Sequence, residues 1–236
     1  MIPKVIHYCW FGKNKKSEII KKCIKSWDRL SEYKIVEWNE DNIDISENQY
    51  LKEAFNRKMW AFVSDYIRLK VLYEYGGIYL DTDVEIKKNF SDDFLNNDLF
   101  LSFMYNCNLS TAIIGSSKYN NTIKELLDLY DNKELKVAPN NDLFTSYFLE
   151  NYSSFKLNNK YQVLDKKITI YPKEYFECPT LNKKYGYSIH HFEASWKEKN
   201  NWKKVIKSLL PVYIYQNIIR YRAIKKSPFY SIYIKN

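Results

Sequence analysis

The sequence of 236 residues has no long hydrophobic run and few conformationally special residues. Every apolar run is shorter than the roughly 20 residues that a membrane-spanning helix requires. With 5 glycines and 6 prolines, and no Gly/Ser-rich stretch, each of these residues is expected to serve a structural purpose. The composition is 45% hydrophobic and 28% charged, which excludes a disordered chain and predicts one substantial folded domain.

Cysteine and histidine are scarce as well. The four cysteines lie far apart and show neither the spacing of a zinc site nor that of a disulfide framework; they are Cys9, Cys23, Cys107 and Cys178. Residues 1–10 are too short an apolar opening for a secretory signal. We therefore expect a reducing, cytoplasmic setting.

Most of the chain has no excess of either charge. Residues 197–236 contain ten Lys or Arg and one acidic residue, while residues 1–196 contain 27 of each sign. The net charge of +9 therefore belongs to the C-terminal part. Binding of nucleic acid by the main body is not favoured. This pattern predicts a domain at 1–196 and a basic extension at 197–236.

Apolar spacing predicts strands that alternate with helices. Strands are expected near 5–10, 33–38, 78–86, 99–104, 111–114, 168–171 and 187–191, and helices near 17–27, 49–58, 60–75, 122–130 and 142–151. The pair Gly76-Gly77 ends the clearest helix. Such alternation predicts an α/β fold with a largely parallel sheet covered by helices. Ligands then bind beyond the carboxyl ends of the strands.

Two carboxylates come where an apolar strand should end. Asp81 and Asp83 stand two residues apart, so in an extended chain they would share a face. Paired carboxylates suit Mn²⁺ or Mg²⁺. A solvated turn is the alternative for an isolated D-x-D pattern, but the preceding strand and double glycine favour a metal site. The nucleophile motif of haloacid-dehalogenase-type phosphatases is a weaker alternative, because its later lysine and second acidic pair have no suitably distant counterpart here.

The helix before the double glycine carries a second charged pair. Asp65 and Arg68 are three residues apart and share a helical face. They could form an ordinary surface ion pair. The acidic pair just downstream favours another interpretation, in which Arg68 neutralises a diphosphate and Asp65 accepts hydrogen bonds from sugar hydroxyls.

Four segments together resemble the DXD-containing sugar transferases of glycosyltransferase family 32. They are residues 2–12, 64–68, 73–83 and 190–196. Distant yeast mannosyltransferases and the large clostridial glucosylating toxins share the same core pattern. The resemblance implies a GT-A fold, a nucleotide-sugar donor, Mn²⁺ or Mg²⁺, and retention of anomeric configuration. It also implies a role in bacterial capsule or surface-polysaccharide synthesis, with a glycan or lipid-linked saccharide as acceptor and UDP favoured over GDP.

The resemblance also implies roles for individual residues. Asp65 and Arg68 would hold the donor sugar and phosphate, and Asp81 the ribose and the metal. The metal ligands would be Asp81, Asp83 and His191, with His191 favoured over His190. The remaining donor-binding candidates include the base-stacking Trp10, backbone near it, and a segment that closes over the diphosphate; they are Ile6, Cys9, Trp10, Gly77, Tyr79, Asn141, Ser195 and Trp196.

The catalytic base is the least defined part of the site. Asp142, at the start of a predicted helix, is the nominated carboxylate, and the leaving phosphate is the alternative proton acceptor. Glu193 is a further, weaker candidate near the metal.

The basic extension has two interpretations of nearly equal weight, and binding of nucleic acid is a weaker third. It could form an interfacial helix on an anionic membrane surface, on the inner face of the cytoplasmic membrane, or pack on the main domain with an ordinary solvated basic face. For the whole chain, the alternatives to a glycan-building transferase are a toxin-like effector that glycosylates a host protein and a non-catalytic nucleotide-sugar-binding module.

Overall fold

The computed structural model describes residues 1–131, 135, 139–180, 182, 184–193 and 212–235. The strands in this part are β1 (Val5–Cys9), β2 (Lys34–Trp38), β3 (Gly77–Leu80), β4 (Val84–Ile86), β5 (Leu99–Tyr105), β6 (Asn108–Ser116), β7 (Gln162–Leu164), β8 (Ile168–Tyr171) and β9 (Ser188–His190). The helices are α1 (Glu18–Ser26), α2 (Gln49–Asn56), α3 (Trp60–Tyr75), α4 (Asp92–Leu95), α5 (Asn121–Asp128), α6 (Asn140–Asn151), α7 (Val212–Lys226) and α8 (Tyr230–Tyr233).

Seven strands form the central sheet, in the order β2-β1-β3-β6-β5-β8-β7. β1 is parallel to β2 and β3, and β8 is parallel to β5, whereas β6 is antiparallel to both of its neighbours and β7 to β8. Five strands therefore run in one direction and two in the other. This confirms the predicted α/β class with a mostly parallel sheet flanked by helices.

The α3 helix is apolar on most of its surface because it is packed on several sides. Its buried residues include Val63, Ile67 and Leu72, and the helix contacts the sheet as well as α2 and α5. A helix that is apolar all round is expected in such a buried position. Arg68 lies among these residues with 5% of its surface exposed, so its charge is held inside the fold.

The double glycine makes the sharp turn from α3 into β3. Gly76 has φ 66° and Gly77 has φ 113°, in the range that favours glycine. A Cβ on Gly76 would lie 2.6 Å from the Lys118 nitrogen, and one on Gly77 would lie 2.5 Å from the Val5 oxygen. Both conformation and space therefore require glycine at this turn.

The predicted strand over 78–86 is wrong as one element. A turn interrupts it after Leu80, in which the Val84 N–H donates to the Asp81 carbonyl at 3.0 Å. β4 then leaves the central sheet and pairs with β9 in a separate two-stranded sheet. The two aspartates therefore lie on a turn between two sheets, and alternation along one strand does not explain their common direction.

The C-terminal segment that follows α7 packs on the hairpin formed by β5 and β6. Phe229 belongs to the main hydrophobic core, and the Tyr233 hydroxyl accepts a hydrogen bond from Asn106 at 3.0 Å. Ser227 Oγ donates to Asn108 at 2.7 Å. Among the described residues, no helix is both long and apolar enough to cross a membrane. The predicted boundary at 196/197 lies outside the described residues.

Candidate active site

The candidate site lies at the carboxyl ends of β1 and β3. These two strands are parallel neighbours, so the residues that follow them emerge at the same edge of the sheet. β1 is followed by Trp10 and β3 by Asp81. This is the edge at which parallel sheets bind their ligands.

Asp81, Asp83 and His190 form a compact cluster at this edge. One ligand atom from each lies within 4.8 Å of the others. His190 Nε2 is 3.3 Å from Asp83 Oδ1. The antiparallel pairing of β4 with β9 sets Val84 opposite His190 and so brings the imidazole beside the D-x-D turn.

The structure places His190 in this cluster, whereas the sequence favoured His191. His191 points elsewhere: its Nε2 donates to Glu85 Oε2 at 2.9 Å. Successive side chains of an extended chain point to opposite sides, so only one of two adjacent histidines can face the cluster. The backbone of His191 does take part, because its N–H donates to the Asp83 carbonyl at 3.1 Å.

The buried carboxylate of Glu177, which the sequence analysis missed, holds the side of the His190 ring that faces away from the aspartates. His190 Nδ1 donates to Glu177 Oε2 at 2.8 Å, and Ser110 Oγ donates to Glu177 Oε1 at 2.5 Å. Glu177 is fully buried. Hydrogen bonding of Nδ1 to a carboxylate directs Nε2 toward the cluster, the arrangement usual for histidines that bind metals. Neither Glu177 nor Ser110 belongs to a motif, so no sequence signal marked them.

The charges within the cluster strongly perturb its pKa values. Burial alone would raise the pKa of Asp83, but the positive His190 ring and hydrogen bonds from His190 and the Glu193 N–H lower it to about 2. Burial opposes protonation of His190, yet Asp83 and Glu177 raise its pKa well above the usual value. Burial raises the pKa of Asp81, and the Arg68 charge counters this in part. Burial and the close opposite charges therefore dominate the protonation of the cluster.

Arg68 and Asp65 lie next to the cluster, as the sequence predicted for this helical face. Arg68 Nη2 is 2.9 Å from Asp65 Oδ1 and 3.4 Å from Asp81 Oδ1. Its Nη1 donates to the Thr111 carbonyl at 2.6 Å, and the guanidinium lies 4.7 Å above the Tyr79 ring. The neighbouring Asp81, Tyr79 and Asp65 raise the pKa of Arg68 against the effect of burial. The side chain is thus held in one position with its charge at the site.

Of the predicted base-binding residues, Trp10 and Cys9 lie at the site edge. Trp10 is half-buried, and its indole N–H donates to the Asn14 carbonyl at 2.9 Å. Cys9 is buried, and burial raises its thiol pKa to about 12, so it is a neutral thiol. Ile6 lies deeper, fully buried in mid-strand between β2 and β3.

Two predicted donor-binding residues, Gly77 and Tyr79, lie on β3 and are packed within the protein. Gly77 begins β3, at the end of the strand away from Asp81, where it forms the turn from α3. Tyr79 is 2% exposed and lies beneath the Arg68 guanidinium. Their arrangement suggests that they act on the site through Arg68 and the path of β3.

The start of α6 packs against β6, the strand next to β3. Asn141 Oδ1 accepts from Thr111 Oγ1 at 2.8 Å, and this threonine's carbonyl holds Arg68. Asp142 accepts from Asn108 Nδ2 at 2.9 Å. Burial raises the pKa of Asp142, although the hydrogen bond from Asn108 partly opposes this. Both residues are thereby connected to β6, one strand away from Asp81.

The remaining predicted residues follow β9 in the sequence. The Glu193 N–H donates to Asp83 Oδ2 at 2.8 Å, which fixes the second aspartate of the turn. Ser195 and Trp196 lie outside the described residues. Residues 191–193 therefore contact the D-x-D turn largely through their backbone.

Comparison with known proteins indicates a similarity to glycosyltransferases. Residues 14–101 match the family model described as a glycosyltransferase sugar-binding region containing the DXD motif. The uncharacterized glycosyltransferase L373 of Acanthamoeba polyphaga mimivirus is 31% identical over 131 residues, which cover 49% of this chain and 50% of that protein. The chain thus spans about half the length of this curated relative.

A structural comparison gives the fold. The solved structure titled PaToxG Glycosyltransferase superposes with a TM-score of 0.51 at 22% identity, over 63% of this chain and 68% of that one. The predicted GT-A fold is confirmed. The matches together support the predicted resemblance to DXD-containing glycosyltransferases.

Proposed function

We propose that the chain is a metal-dependent glycosyltransferase that moves a sugar from a nucleotide-sugar donor to an acceptor hydroxyl. The observation that carries this proposal is the compact, partly buried cluster of Asp81, Asp83 and His190 beside Arg68. It lies at the ligand-binding edge of the sheet, and both aspartates belong to the matched DXD region.

The ligand atoms of this cluster fit a divalent cation. Two carboxylates and one imidazole, the latter oriented by Glu177, suit Mn²⁺ and are acceptable for Mg²⁺. We assign Asp81, Asp83 and His190 as the residues that would hold it, with His190 in the role first given to His191. When bound, such a cation neutralises part of the diphosphate charge.

Arg68 supplies positive charge where the leaving group gains negative charge. As the bond between sugar and diphosphate breaks, the phosphate oxygens become more negative, so a fixed guanidinium stabilises the transition state more than the ground state. Asp65 and the Thr111 carbonyl hold Arg68 and limit the reorganisation that this requires. We also propose that Asp65 accepts hydrogen bonds from donor hydroxyls.

The finer parts of the proposal concern substrates and stereochemistry. We propose that the donor is a UDP-sugar whose base stacks on the half-buried Trp10, the residue after β1. We also propose that the reaction retains the anomeric configuration. Stacking of a base on an aromatic ring contributes about 1–3 kcal/mol. Asp142 is the candidate to accept the proton from a glycan or lipid-linked acceptor. The product would be a bacterial surface polysaccharide.

Calorimetric titration with UDP and GDP, with and without Mn²⁺, tests the donor and the metal together without knowledge of the acceptor. We expect binding of UDP that requires Mn²⁺ and is abolished in Asp83→Asn. The control is Asp93→Asn, which removes an exposed carboxylate on α4 and should bind like the wild type. Binding of UDP by Asp83→Asn with unchanged affinity for Mn²⁺ would refute the assigned metal site.

A further inference from the structure

The α7 helix has an exposed apolar stripe. Ile214, Ile218 and Tyr221 follow one another at helical spacing and are 46%, 43% and 61% exposed. Lys225 extends the stripe by one turn, with its Nζ 4.7 Å from the centre of the Tyr221 ring. Of the twelve large apolar side chains exposed in the described part of the chain, five lie within residues 212–235. This concentration differs from the scattered exposure that is normal for a protein surface.

The other side of α7 already packs on the protein. Ala223 and Ile224 are half-buried, and the helix contacts β5. The Ile224 carbonyl lies 4.0 Å from the Cys107 sulfur. Since a helix with apolar residues on both sides is normally covered on both, the exposed stripe calls for a second apolar contact.

The charge around the stripe selects among the surfaces that could cover it. Residues 212–235 contain five Lys or Arg and no acidic residue. Arg222 adjoins the apolar stripe, and Lys225 and Lys226 stand at its C-terminal end. Pairing of two copies with their α7 helices parallel would set these like charges against each other. A surface with a negatively charged outer layer and an apolar interior matches both the apolar stripe and the basic residues beside it.

We infer that the stripe formed by Ile214, Ile218, Tyr221 and Lys225 docks on an anionic lipid bilayer. The apolar side chains enter the boundary between headgroups and acyl chains, and the basic residues contact the negative headgroups. With its 15 residues, the helix is about 22 Å long and lies in the plane of the interface.

The connection from α7 to the candidate site suggests what docking accomplishes. Ser227, just after the helix, donates to Asn108, and Asn108 donates to Asp142. The docking helix is thus joined through two hydrogen bonds to Asp142. If the proposed function holds, docking places Asp142 near acceptors carried by lipids. The docking itself does not depend on the proposed function.

Co-sedimentation with vesicles tests the inference without donor, acceptor or metal. The full chain is mixed with two kinds of vesicle. One contains phosphatidylcholine alone, and the other contains phosphatidylcholine with about 30 mol% of the anionic lipid phosphatidylglycerol. We expect binding to the anionic vesicles that weakens with salt, and at least tenfold weaker binding to neutral ones. Replacing Arg222, Lys225 and Lys226 by Gln should weaken binding by about fivefold per charge.

The apolar contribution has a closely matched control. The triple variant Ile214→Ser, Ile218→Ser and Tyr221→Ser should lose binding. The control triple Ile35→Ser, Leu129→Ser and Val163→Ser changes side chains of similar exposure, 41%, 44% and 60%, elsewhere on the surface and should bind normally. Thermal unfolding and circular dichroism verify that the variants are folded.

Three outcomes would overturn the docking inference. They are no binding of the wild type to anionic vesicles, equal binding by the two triple variants, and a wild-type dimer that the stripe variant makes monomeric. The last would assign the stripe to a second copy of the chain. None of these outcomes would affect the proposed transferase, which the nucleotide titration tests separately.

Discussion

At the scale of single residues, Glu177 decides which nitrogen of His190 faces the metal site. It is fully buried, and its two oxygens accept from His190 and Ser110. Its hydrogen bond with His190 Nδ1 gives it the role of positioning the imidazole. Carboxylates in such positions commonly contribute a factor of about 10–100 to metal affinity.

Glu177→Gln should therefore weaken Mn²⁺ binding about tenfold or more, because a neutral amide holds the imidazole less strongly and can present the wrong group to Nδ1. The measurement is Mn²⁺ titration followed by electron paramagnetic resonance, which also reports a change in coordination. Glu174→Gln is the control, because Glu174 lies on the same turn as Glu177. Its carboxylate contacts Lys173 and Asn159 and not His190. Equal Mn²⁺ affinity in the two variants would show that Glu177 is only a packing residue.

At the scale of elements, the turn from α3 into β3 fixes the distance between Arg68 and Asp81. Arg68 lies two helical turns before Gly76, and Asp81 follows the short strand that begins at Gly77. The 3.4 Å approach of their side chains depends on this turn. A change in the turn should therefore affect both stability and the site.

Gly77→Ala should lower the free energy of unfolding by at least about 2 kcal/mol. Its φ of 113° is unfavourable for alanine, and the added Cβ would lie 2.5 Å from the Val5 carbonyl oxygen. Urea denaturation measures the loss. Gly186→Ala is the comparison, because that glycine also has positive φ, 73°, but its Cβ would meet only the flexible Thr180 side chain at 3.0 Å. A smaller loss at Gly77 than at Gly186 would contradict the assigned role.

At the scale of the whole molecule, the C-terminal segment is joined to the main body. Phe229 is 8% exposed and belongs to the same core cluster as residues of α3, α6 and the central sheet. The division into 1–196 and 197–236 remains a prediction, and the contacts of Phe229 and Ser227 show that the described end of the extension packs on the first unit.

Phe229→Ala should destabilise the protein by roughly 3 kcal/mol, as removal of a buried aromatic ring does. Ile234→Ala is the control, because Ile234 is 61% exposed, and it should leave stability nearly unchanged. Thermal and urea unfolding of the full chain give both values. If Phe229→Ala is as stable as the control, the C-terminal segment does not share the core.

Much of the fold and part of the site could be predicted from local patterns. The spacing of Asp65 and Arg68, the double glycine and the D-x-D sequence are short-range features, and the structure brings all of these charged residues together. The interruption of strand 78–86 could not be predicted, because an apolar run followed by alternating residues does not show which sheet its second half will join. The pairing partner β9 lies about a hundred residues later.

The sequence by itself determined the class of fold, the acidic pair and the charged face of α3, because each depends on residues within a few positions of one another. Only the tertiary structure decided that His190 and not His191 joins the aspartates, and that Glu177 and Ser110 stand behind it. These choices depend on the register between β4 and β9 and on contacts across the core. A shift of one residue would turn the other histidine inward, so the strand pairing decides which histidine lies beside the aspartates.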